Sequence, residues 1–122
     1  MAIGLSCFAQ KEIKLEQVKD HVGDSVKLEG MIYGIKVFED DDKNPTLSVI
    51  NLGAAYPNQL LTIAVYPSYK TKDIVFPDER FMGGKAVVFG KIEMYKGKPQ
   101  VVVRSPNQLY IVSTDSIIVP NQ

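Results

Sequence analysis

The stretch that most restricts what this chain can fold into runs from Gly23 to Phe38, GDSVKLEGMIYGIKVF. Val26, Leu28, Gly30, Ile32 and Gly34 fall on one face of an extended chain, and Lys27, Glu29, Met31, Tyr33 and Ile35 fall on the other. Alternation with period two marks a half-buried strand. Sixteen residues at about 3.3 Å each extend over about 50 Å, roughly twice the width of a small domain. The strand therefore has to bend, and Gly30 and Gly34 are the positions where it can coil. One strand then serves two sheets, as the first strand of a small closed barrel does.

The opening pattern returns in Gly83–Ile92, GGKAVVFGKI. Superimposed on Gly23–Ile32, it places Gly83 on Gly23 and Gly90 on Gly30, with apolar residues at matching inward positions. A glycine turn, a short run of strand and a coiling glycine are used twice, which suits the first and fourth strands of a five-stranded Greek-key barrel. Between the two copies, Thr46–Leu52 and Leu60–Tyr66 read as a strand pair joined by the turn Tyr56–Gln59. Pro67–Met82 loses the alternation and reads as a long capping connection, helical around Pro77–Met82. Tyr95–Pro99 turns into a fifth strand, Gln100–Ser105, which breaks at Ser105–Gln108 and resumes over Leu109–Val112. Ahead of the first strand, Leu15, Val18, Lys19 and Val22 have helical spacing and Gly23 is the stop, so a short N-terminal helix is predicted.

The fold class is thus all-β with short helices, in one domain over residues 11–112 followed by a tail, 113–122. No apolar run approaches the roughly 20 residues of a membrane-spanning helix, so no membrane span is expected. Fourteen basic and fourteen acidic side chains cancel, leaving no long-range field to gather a polyanion. Their distribution is uneven. Between Lys85 and Tyr110, Lys85, Lys91, Lys96, Lys98 and Arg104 stand against Glu93 alone, whereas Glu39–Asp42 concentrates acid in one loop. Residues 1–10, MAIGLSCFAQ, carry no charge, and Cys7 and Ala9 stand like the small residues of a signal-peptidase site. They are read as the remnant of an export signal, which places the protein in the periplasm or outside the cell, and in the cytoplasm if the segment is retained. Its removal would leave no cysteine, and with it no disulfide or thiolate metal site.

Helix, coiled strand, hairpin, capping connection, coiled strand and final strand together resemble an OB-fold with an extra N-terminal helix. VGDSVKLEGMIY is similar to the opening of the anticodon-binding OB domains of class II tRNA synthetases. INLGAAYPNQLLTIAVY and GGKAVVFGKIEMYKGKPQVVVRSPNQLYIV resemble the small OB modules that accompany bacterial secreted nucleases or stand alone as exported proteins. The likeness implies a module that binds without catalysis, over the face of its second and third strands and the loops beside them. Single-strand binders carry aromatics for base stacking and cations for phosphate on that face. Tyr33, Tyr66, Tyr69 and Tyr95, with Lys70, Lys72, Lys96, Lys98 and Arg104, are the candidate ligand-binding residues for single-stranded DNA or RNA. A protein or peptide partner of the cell envelope is the alternative, through pairing at an exposed strand edge.

No cofactor or metal is called for. Asp40–Asp42 lack the alternating ligands, glycine turn and closing carboxylate of a calcium loop and read as a solvated turn. His21 is the single histidine and reads as a solvated helix residue. No nucleophile–base pair and no phosphate-cradling glycine loop is present, so no enzymatic activity is expected. A carboxylate nuclease using Asp40–Asp42 with Arg80 is the competing possibility.

Overall fold

Ser25–Glu39 is one continuous strand that changes partners half-way along. The computed structural model describes residues 11–67, 77, 79–112 and 117–118. Strands are numbered in chain order: β1 (Lys11–Glu12), β2 (Ser25–Glu39), β3 (Pro45–Leu52), β4 (Leu61–Val65), β5 (Lys85–Tyr95), β6 (Lys98–Val103), β7 (Leu109–Val112) and β8 (Ile117–Ile118). Over Ser25–Met31, β2 pairs antiparallel with β5; from Ile32 onward it pairs antiparallel with β3. A bulge separates Ile32 from Gly34. The bulge exchanges the faces of the strand, because one extra residue inverts a period of two. Val26, Leu28 and Ile32 are buried before it, and Ile35 is the residue packed on the core after it. Gly34, expected on the same face as Ile32, consequently pairs with Asn51 on the opposite side of the sheet.

The pairings close on themselves. β3 is antiparallel to β4, β4 is parallel to β6, β6 is antiparallel to β5, and β5 returns to β2. Ile50, Leu52, Leu61, Ile63, Val88 and Val101 point into this circuit and are fully buried, each contributing about 1.5–3 kcal/mol relative to exposure. β1 lies parallel to β2 outside the circuit, and β7 and β8 extend it beyond β5. β7 is therefore not a resumption of β6. Pro106–Gln108 forms a 3₁₀ turn that carries the chain across β5, where Gln108 accepts from the N–H groups of Arg104 and Ser105 and donates to the carbonyls of Phe89 and Val102.

The expected N-terminal helix is a 3₁₀ segment, Leu15–His21. Three residues per turn put Leu15 and Val18 above one another, with Val18 in the core and Val22 left 44% exposed. His21 is not freely solvated, because its Nδ1 lies 3.0 Å from Asp24 Oδ2 at the turn into β2. The helical turn predicted around Pro77–Met82 is a 3₁₀ segment over Glu79–Phe81 that buries Phe81. Ser48 Oγ, in the core, donates to the Pro77 carbonyl at 2.7 Å. Residues 1–10 and 119–122, and with them the export segment and the end of the tail, lie outside the described residues.

The repeat seen in the sequence is a structural one. Gly23 and Gly83 each follow a 3₁₀ segment with φ of +95° and +83°, a conformation that glycine adopts without penalty. Gly23 N–H donates to Ile92 O and Gly83 N–H donates to Ile32 O; Ile92 N–H donates to Asp24 O and Ile32 N–H donates to Gly84 O. Exchanging the two copies maps each bond onto its counterpart. A local two-fold thus relates the first half of β2 to the first half of β5.

At the tip of the β2–β3 hairpin the acidic run is used as a turn. Asp40 accepts through Oδ1 from the N–H groups of Asp42 and Asn44, both at 2.9 Å, and its own N–H donates to Asn44 O. The Asn44 N–H, then the Asp42 N–H and the Asn44 side chain, hold the Asp40 carboxyl below its ordinary value, with desolvation opposing them. A depressed folded value means that the turn is stabilised above the unfolded pKa and loses that support as pH falls through the folded one. In an NMR titration, the Asp42 and Asn44 amide shifts should follow the Asp40 carboxyl with a common midpoint below the ordinary aspartate value; a midpoint at or above it would refute the arrangement.

The two coiling glycines differ in what surrounds them. A Cβ on Gly90 would sit 2.6 Å from Cγ1 of the fully buried Val101, whereas one on Gly30 would meet the flexible end of the half-buried Leu15. Gly90→Ala should cost about 1–3 kcal/mol as overpacking, and Gly30→Ala less than about 1 kcal/mol, since loss of unfolded-chain freedom offsets part of it. Urea unfolding of the two variants tests the order, and equal costs would contradict it.

Candidate functional site

The residues between the core positions of β3 and β4 face outward and make the floor of a groove. Register places Gly34, Asn51, Thr62 and Gln100 in one row across β2, β3, β4 and β6. The next row is Lys36, Val49 and Ala64, and beyond it Phe38 pairs with Leu47. Because Gly34 has no side chain, Asn51 Nδ2 can lie where it does, 3.2 Å from the position a Cβ would take. The groove has a volume of about 770 Å³, within the range of ligand pockets. One end of its floor is apolar and the other is polar.

Aromatic rings stand round this floor. Tyr33, Phe38, Tyr56, Tyr66 and Tyr95 all line it and are 50%, 42%, 73%, 38% and 55% exposed. Each ring therefore leaves part of its surface open to solvent. Cations lie beside them. Lys36 Nζ is 5.0 Å from the Phe38 ring centroid, Lys96 Nζ 5.3 Å from that of Tyr95, and Arg104 Cζ 4.8 Å from that of Tyr66. These spacings suit cation–π contact, which leaves the charged heads at the surface within reach of an anion.

The wall formed by β5 and β6 is tied to the β3–β4 loop. Lys96 and Gly97 have φ of +51° and +82°, the pattern of a type I′ hairpin turn. Lys98, the residue after that turn, donates from Nζ to the Pro57 carbonyl at 2.7 Å. The bond draws the hairpin against the loop that carries Tyr56. On the loop, buried Gln59 donates from Nε2 to Thr62 Oγ1 at 3.0 Å.

Of the predicted ligand-binding residues, Tyr33, Tyr66, Tyr95, Lys96 and Lys98 line the groove together, and Arg104 lies on the Tyr66 ring. Tyr69, Lys70 and Lys72 fall outside the described residues. Sequence reasoning missed Lys36, Phe38 and Tyr56, and the polar row Asn51, Thr62 and Gln100 with Gln59. Lys36 and Phe38 could have been found from their period-two spacing after Gly34, once the bulge is placed. Among the described residues lining the groove there are three lysines and no aspartate or glutamate, so the acid of the first loop is not on this surface. Asp40 is engaged within its own turn, and Arg80 lies 5.7 Å from the Phe81 ring centroid. Among the described residues no group of three histidine, cysteine, aspartate or glutamate side chains is placed to hold a metal ion. No family model matches the chain, and no curated protein matches it either.

Proposed function

We propose that the closed circuit of strands is an OB-fold barrel and that its groove is a non-catalytic binding site for single-stranded nucleic acid. The order β2–β3–β4–β6–β5, with β4 parallel to β6, supports the fold assignment, since a five-stranded Greek-key barrel places its ligand on the face of the strands that here are β3 and β4. The observation that carries the functional reading is the composition of the groove: among the described residues, five exposed aromatics, three lysines and no carboxylate, in a chain whose total charge is zero. Rings accept unpaired bases by stacking, at about 1–3 kcal/mol per base, and the cations follow the phosphate backbone. A duplex offers no free base faces and fits this surface poorly.

Fluorescence anisotropy with a labelled single-stranded oligonucleotide, DNA and RNA in turn, tests the reading. Contacts from Lys36, Lys96, Lys98 and Arg104 give a slope of log K against log salt of about −3, at about −0.7 per phosphate. Lys36→Gln and Lys96→Gln should each reduce its magnitude by about 0.7, and Tyr66→Ala should weaken binding by about 1–3 kcal/mol. Absence of binding at low salt to both nucleic acids, or binding that salt does not alter, would sink the proposal.

A further inference from the structure

The polar end of the groove is more than a boundary of the apolar floor. Asn51, Thr62 and Gln100 stand abreast on β3, β4 and β6, and at about 4.8 Å between strands the row is about 10 Å long. All three line the groove and are half-buried. Gln59, which lines it too, is 8% exposed. Its Nε2 donates to Thr62 Oγ1, which directs the hydroxyl proton of Thr62 away from Gln59. Its Oε1 is buried and has no hydrogen-bond partner among the described residues. A buried acceptor without a donor is destabilising, and this one belongs to the side chain that orients the middle of the row.

Amides and hydroxyls can donate to phosphate as well as to bases, but this row lies on the floor of the slot beside Val49 and Ala64, where a base taken up by the surrounding rings would lie. Phosphate contacts position a nucleic acid, whereas contacts to base edges distinguish its sequence. We infer that Asn51, Thr62 and Gln100, with Gln59 behind them, read the hydrogen-bonding edge of an unpaired base seated on Val49 and Ala64. The inference rests on the nucleic-acid reading and adds to it that binding depends on base identity. Amides offer a donor and an acceptor side by side, the geometry that pairs with a base edge. The Thr62 hydroxyl adds a donor, turned away from Gln59 by the bond it accepts from Gln59 Nε2.

The test compares dA15, dC15 and dT15 at one salt concentration, with a salt titration for each. The parent protein should show a spread of at least about tenfold among the three dissociation constants, within the range that one amide–base pair contributes. Thr62→Val, close in shape, and Asn51→Ala should each compress the spread to within about threefold and leave the salt slope as it was. Lys36→Gln should weaken all three oligonucleotides by the same factor. A parent that binds all three within twofold overturns the base-reading row while the binding module stands, as does a full spread retained in both variants. A parent that binds none of them removes the module and the row together, and thermal melts of the variants separate lost binding from lost folding.

Discussion

A single strand has to hydrogen-bond in two directions, and the rest of the structure follows from how β2 manages it. Its first half is committed to β5 and its second to β3, so the backbone has to coil between Met31 and Gly34. Gly30 accommodates Leu15 there, and the bulge after Ile32 absorbs the change of register. That bulge closes the core and also decides which side chains reach solvent beyond it. With the faces exchanged, Ile35 packs inward, and Lys36 and Phe38 go to the groove. The device that shuts the circuit of strands thus also supplies one wall of the site.

Charge is organised in the same local way. The chain is neutral overall, yet the described lining of the groove carries only basic charge, and several acidic side chains are engaged elsewhere. Asp40 closes its own turn, Glu29 pairs with Lys85 at 2.9 Å, and Asp24 meets His21. These pairs are exposed or half-exposed and add little stability. At physiological salt, opposing charges more than about 8 Å apart are screened from one another. The cations of this surface therefore act at short range, with little steering from a distance.

The strands were legible in the sequence because a half-buried strand writes its period directly: Val26, Leu28 and Ile32 in the first copy and Ala86, Val88 and Ile92 in the second are all buried. The double use of β2 was legible from its length and glycines. The bulge was not, since nothing in GMIYGIKVF marks the residue at which the period slips; Gly34 was consequently placed on the wrong face and Lys36 and Phe38 were overlooked. The turn from β6 to β7 was misread for a related reason: Pro106 announces a break, but only the Gln108 bonds to Phe89 and Val102 show that the chain crosses β5 instead of continuing. The aromatic and basic candidates follow from residue type and place in the chain alone. That Tyr33, Tyr66 and Tyr95 share one groove depends on pairings between strands far apart in sequence.

The local two-fold explains where that groove lies. Up to Ile32 and Ile92 the two copies are equivalent and mutually bonded, and each buries the same positions. Past those residues β2 and β5 can no longer pair with each other, so each takes a new neighbour: β3 for the one and β6 for the other. The far ends splay apart, and β4 fills the interval by pairing with both neighbours. The second half of β2 and the end of β5 with its turn then face each other across this floor. Lys36 and Tyr33 stand on one side, and Tyr95 and Lys96 on the other. The groove arises where the symmetry breaks, and its walls are the two places where the repeated segment has lost its partner.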